Sequence, residues 1–106
     1  MKLILNFLGL ANRAGKIASG DTVINKIQRK EAKLVIIATD ASDSSKKRLI
    51  DKCSFYKVPY VEFFEKEQLG LAIGKSHRSS CAILDLGFSK KLESMIIENS
   101  GGEFHE

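Results

Sequence analysis

The sequence holds little of what metal sites, membrane spans and catalytic centres are built from. It has two cysteines, Cys53 and Cys81, with no C-x-x-C pair and no His/Cys cluster at zinc-ligand spacing. Cys53 falls on the apolar face of a helical segment and Cys81 opens an apolar strand run. Both read as reduced core thiols, and a cytoplasmic location follows. No segment approaches the roughly 20 consecutive apolar residues of a membrane span. The opening MKLILNFLGLANRAG has a lysine, an apolar run and small residues, as a signal peptide would. Asn6 breaks that run, however, and the apolar residues recur at helical spacing: Leu3, Phe7, Leu10 and Ala14, with Ile4, Leu8 and Ala11 beside them. An amphipathic first helix packed on the core is the better reading.

Catalytic patterns are missing as well. There is no G-x-G-x-x-G after the first strand, no P-loop and no H-E-x-x-H. The serines at 42, 44 and 45 look like a helix start, with no histidine placed to activate one. His77 sits in a polar loop and His105 in the C-terminal tail, both suited to the surface. Asp40, Asp43 and Asp85 lie near strand ends, where α/β folds place active sites. Capping and turn roles account for them better. No enzyme and no cofactor is expected.

What remains is one domain's worth of chain, 106 residues with 43% hydrophobic and 28% charged content. Its formal net charge is +4 and its pI about 9.1, a moderate bias that suits nucleic acid without requiring it. Periodicity predicts a first helix over 4–13, an extended KIAS, and a second helix from Gly20 or Asp21 to Lys30, capped by Asp21. KLVIIATD is a continuous apolar strand. A third helix follows, with Ser42 and Asp43 at its start and Leu49, Cys53 and Tyr56 inward. Pro59 introduces the strand VPYVEFF; a short fourth helix buries Leu69, Ala72 and Ile73 and stops at Gly74. After the loop SHRSS come the strand CAILDL and a last helix with Phe88, Leu92, Met95 and Ile96 on one face. The strands at 34–39 and 81–86 are apolar on both faces, which calls for helices on both sides of a sheet: a three-layer α/β/α domain. Residues 1–98 form that single domain and 99–106 a flexible tail, with no repeat or linker.

Two polar, donor-rich segments each abut a glycine. The first is the start of the second helix, Gly20-Asp21-Thr22, with Asn25, Lys26 and Arg29 along its exposed side. Thr22, Lys26 and Arg29 share one stripe and Asp21 and Asn25 the next. The second is the loop from Gly74 through Lys75, His77, Arg78 and Ser79 to Ser80. Lysine and arginine there can meet phosphates or guanine O6 and N7, and a carboxylate can accept from guanine N1–H and N2–H.

The motifs LGLANRAGKIASGD, EAKLVIIATDAS, KKRLIDKCSFYKVPYVEF and LGLAIGK together resemble the L7Ae/L30e superfamily of kink-turn RNA-binding ribosomal proteins, and within it the small bacterial YlxQ-type branch. The likeness runs from Leu8 to Leu92. It implies an α/β/α sandwich with a central mixed four-stranded sheet, acting without enzymatic chemistry in association with the ribosome; a monomer is expected. It also implies that tandem G·A pairs of a kink-turn are read from Gly20–Arg29, while flipped-out nucleotides are covered by the loop from Gly74 to Ser80. Leu69, Gly70, Ala72 and Gly74 match the family's segment before that loop. At the start of the second helix the archaeal pattern Gly-Ala-Asn-Glu-Val-Thr-Lys is met by Ser19-Gly20-Asp21-Thr22-Val23-Ile24-Asn25, where only Val23 is identical. Asp21 can still accept from guanine, and Lys26 can supply a donor one residue later. These departures leave a second reading open: a protein-interaction module of a ribonucleoprotein with weak kink-turn specificity. Either way, the two segments are expected to converge on one patch.

Overall fold

The computed structural model describes residues 2–100. His105 and the rest of the expected tail past Ser100 lie outside the described residues. Helices and strands alternate as α1 (Lys2–Arg13), β1 (Ile17–Ser19), α2 (Thr22–Gln28), β2 (Leu34–Ile37), α3 (Asp43–Tyr56), β3 (Tyr60–Glu62), α4 (Lys66–Ala72), β4 (Ser80–Ile83) and α5 (Leu86–Ser100).

The sheet is four-stranded and mixed, in the order β1-β4-β2-β3. β4 runs antiparallel to both its neighbours, with Ile36 opposite Cys81 on one side and Ala18 opposite Ala82 on the other. β2 and β3 are parallel, and α3 is the crossover such a pair requires. Every residue of β2 and β4 is buried. Successive side chains point to opposite faces, so both faces must be covered. α2 and α3 cover one face; α1, α4 and α5 cover the other. The expected α/β/α sandwich is therefore the architecture. Fully buried Ile4, Leu8, Ile27, Ile36, Leu69, Leu92 and Ile96 dominate its core, each contributing about 1.5–3 kcal/mol by leaving water.

The structure corrects several sequence expectations. In α1 the inward stripe is Ile4, Leu8 and Ala11, whereas Leu3 and Leu10 are 74% and 46% exposed. Two adjacent apolar stripes compete for the inside of this helix, and packing on α4 and α5 decides between them, with Gly9 lying close to the Ala72 carbonyl of α4. The strands are shorter than read. β4 ends at Ile83 because the Asp85 carboxylate accepts from the Phe88 amide (2.9 Å) and turns the chain into α5. β2 ends at Ile37, and Asp40 accepts from the Lys66 amide (2.8 Å) at the start of α4. Ser42 caps α3 by accepting from the Ser45 amide (3.2 Å). These acids and serines thus serve turns and helix starts. At its far end α5 continues through Asn99, whose side chain donates to the Met95 carbonyl (2.8 Å).

Cys53 and Cys81 are free and buried. Burial pushes both thiols up from 9.0 to about 12. In the unfolded chain they ionise near 9.0, so the stability tied to the protonated thiols is intact below that pH and drains away between 9 and 12. Each thiol should cost about 1.4 kcal/mol of stability per pH unit in that window. Denaturant melts at pH 8 and pH 10.5 check this: the wild-type protein should lose more stability between them than a C53A/C81A variant. An equal loss would show that the thiols are not what burial makes them.

Candidate functional site

The two polar segments meet. The end of β1, the turn at Gly20, α2, the start of α3 and the loop before β4 enclose a cleft of about 370 Å³. Gly20 and Asp21 form one side, His77, Arg78 and Ser79 the other, and Ser45 and Arg48 of α3 close the end. Ile24, Leu49 and Ser80 complete the lining.

Local backbone chemistry sets this shape. Gly20 has φ +68°, a left-handed conformation that costs a residue with Cβ about 1 kcal/mol or more. Its carbonyl accepts from Val23 N (3.2 Å), and Thr22 Oγ1 donates back to the Ser19 carbonyl (2.9 Å). The expected cap at Asp21 is absent: the residue is helical (φ −63°, ψ −20°) and makes no side-chain capping bond. The Thr22 back-bond holds the turn instead, so the Asp21 carboxylate stays exposed at the cleft.

The facing loop is held against α4. Lys75 N donates to the Gly70 carbonyl (2.8 Å), and Arg78 N donates to the Lys66 carbonyl (3.2 Å). This approach leaves no room for a side chain at residue 70. A Cβ there would collide with the Ser76 carbonyl oxygen and lie 2.6 Å from its carbon and 3.0 Å from His77 N. Arg78 then reaches across: its Nε would be 4.0 Å from a Cβ on Gly20. Nη1 donates to the His77 carbonyl (2.7 Å), while Nε is buried with no protein acceptor among the described residues. A buried, unpaired N–H costs about 1–3 kcal/mol, which a shift of this half-buried side chain toward an acceptor in the cleft would recover.

The remaining expected residues sit elsewhere. Lys26 Nζ bonds Glu31 Oε1 (3.3 Å), and Arg29 Nε pairs with Glu31 Oε2 (3.1 Å). The Arg29 contact is an ion pair without hydrogen-bond geometry, which leaves Oε2 otherwise unsatisfied. Lys26 and Arg29 are thus clamped to one carboxylate, and the cleft's lining includes neither. Asn25 and Lys75 are exposed and outside the cleft's lining, and Thr22 is occupied by its back-bond. The sequence reading missed Ser45 and Arg48. Three consecutive basic residues stand at 46–48. Their helical phase was the available signal: residue 48 precedes buried Leu49, at the edge of the core face, and turns toward α2. Among the described residues no group of acids, cysteines and histidines could hold a metal ion, and no helix is long and apolar enough to cross a membrane.

The α/β/α sandwich thus brings Arg78, the exposed Asp21 carboxylate and Arg48 together around one open cleft. The model of the ribosomal protein L7Ae/L30e/S12e/Gadd45 family matches residues 3–93, and the chain belongs to that family. It is 48% identical to the RNA-binding protein YlxQ of Bacillus subtilis over 90 residues, 84% of this chain and 90% of that one. It is 35% identical to the large ribosomal subunit protein eL8 of Picrophilus torridus over 88 residues, 81% of this chain and 69% of that one. Among solved structures it is similar to the 15.5kD RNA binding protein of Giardia lamblia: TM-score 0.74 and 25% identity, covering 92% of this chain and 84% of that one. These relatives are RNA-binding and ribosomal proteins, not enzymes.

Proposed function

We propose that this protein binds RNA of the kink-turn type or a similarly bent form, as a cytoplasmic, ribosome-associated monomer. The observation that carries this reading is the meeting of a donor and an acceptor in the cleft: Arg78, whose Nε–H has no acceptor among the described residues, lies across from the turn that carries the exposed Asp21 carboxylate. A guanine edge offers the complement, acceptors at O6 and N7 and donors at N1 and N2. Arg48 and Lys75 add sequence-blind attraction for phosphate. Shape and exposed base edges, rather than a duplex groove, are what such a cleft can read.

The test is a mobility-shift titration with a kink-turn RNA and with the same RNA lacking its tandem G·A pairs. Binding should be salt-sensitive and stronger for the intact RNA. In the same assay Lys26→Ala should change affinity less than about threefold, because its charge is already spent on Glu31. A Lys26→Ala loss as large as that from removing Arg78 would move the site along α2.

The clamp of Lys26 and Arg29 on Glu31 favours a second reading, a protein-interaction module whose RNA specificity is reduced. Equal, weak binding to both RNAs would support it.

A further inference from the structure

Beyond the cleft, along the outer face of α3, lies a shallow open groove whose lining, Arg48, Asp51, Lys52, Phe55 and Tyr56, comes from that helix alone. Arg48 stands between the two and lines both. Along the new groove Arg48, Lys52 and Phe55 follow at i, i+4 and i+7, one stripe of the helix. Phe55 is 77% exposed, more than any other large apolar side chain among the described residues. Its ring is supported, standing edge-on to Tyr56 with centroids 4.9 Å apart and planes at 75°. The Tyr56 carbonyl accepts from Lys30 Nζ (2.8 Å), which brings another cation to the same end. Neither Arg48 nor Lys52 has a carboxylate partner among the described residues, and the groove's one acid, Asp51, is paired with Lys47 (3.6 Å).

An aromatic face left in water beside unpaired cations fits a nucleotide better than an apolar protein helix. A docking helix needs several apolar anchors in a row. This stripe offers one ring site flanked by charge, which is how single-stranded nucleic acid is held: a base stacks on the ring while cations meet the phosphates. We propose that the groove carries a single-stranded continuation of the bound RNA, with an unpaired base stacked on Phe55 and Arg48 and Lys52 on its phosphates. This extends the RNA reading of the cleft and rests on it, and Arg48 links the two surfaces.

The test compares a kink-turn RNA with blunt ends and the same RNA carrying short uridine overhangs, together with a free oligouridylate followed by amide shifts along α3. The overhang RNA should bind about tenfold tighter than the blunt one. Phe55→Ala should erase that gain and leave the blunt affinity unchanged; Phe55→Trp should restore it. Oligouridylate should shift the amides of residues 48–56 even in an Arg78→Ala variant, because the groove lies outside the cleft. Blunt RNA bound as expected, with no overhang gain and no oligouridylate shifts, would overturn the groove and leave the cleft standing. Failure of both RNAs to bind would overturn both. Equal loss of both RNAs in Phe55→Ala would also refute the groove, since the residue would then act on the cleft itself.

Discussion

Arg78→Ala is expected to weaken kink-turn binding by about 5- to 150-fold, the consequence of losing a charge-assisted contact worth about 1–3 kcal/mol. Arg78 is singled out because, unlike Lys26 and Arg29, it has no carboxylate partner among the described residues and keeps a buried Nε–H unsatisfied. If a base edge is the acceptor, discrimination between intact and G·A-deficient RNA should shrink too. If only phosphate is met, both RNAs should weaken alike and the log–log salt slope should fall by about 1. Arg78→Lys keeps the charge but loses the planar fork, so it should recover the phosphate component alone. The fold should survive, because the loop is fixed through the Arg78 backbone N–H to Lys66 rather than through the side chain. Unchanged affinity and salt slope in Arg78→Ala would refute this assignment of the cleft.

Gly70→Ala should do still more. In an exposed helix this change would gain about 1 kcal/mol of helix propensity. Here the new methyl meets the Ser76 carbonyl, a backbone group that cannot rotate away. Overpacking of this kind costs about 1–3 kcal/mol, and its relief requires the loop to lift off α4. That breaks the Lys75–Gly70 bond and carries His77, Arg78 and Ser79 out of the cleft wall. Thermal melting should fall by several degrees, and RNA affinity should drop at least as far as in Arg78→Ala. A variant that melts higher than wild type and binds RNA normally would show that the loop is not held by this approach.

Sequence reasoning reached the layered fold because the apolar runs Leu34–Ile37 and Cys81–Ile83 leave neither face of their strands suited to water, a pattern that calls for cover on both faces. It reached the meeting of Gly20 with the Gly74–Ser80 loop through the family resemblance and a polar pattern no core could use. It went astray where two local solutions compete. Asp21 has the chemistry of a cap, but it is itself helical and caps nothing; the Thr22 hydroxyl holds the turn by donating to the Ser19 carbonyl. Leu3 and Leu10 sit at helical spacing like Ile4 and Leu8, and only packing against α4 and α5 decides between the stripes. The clamp on Glu31 was invisible because residue 31 lies past the helix end, where the left-handed Lys30 folds the chain back. Arg48 was hidden among basic neighbours, and its role is set by which way α3 is rotated on the sheet.

The strand order has a consequence for how the protein comes into being. The last strand made, Ser80–Ile83, fills the slot between Ile17–Ser19 and Leu34–Ile37. A growing chain that has not yet delivered those four residues leaves the two earlier strands without their common neighbour, and the Arg78 wall is made only just before them. Such distant pairings form late, after the entropy of closing a long loop has been overcome. The cleft therefore exists only once Ser80–Ile83 has been made, and a nascent fragment that stops earlier has no such wall to offer.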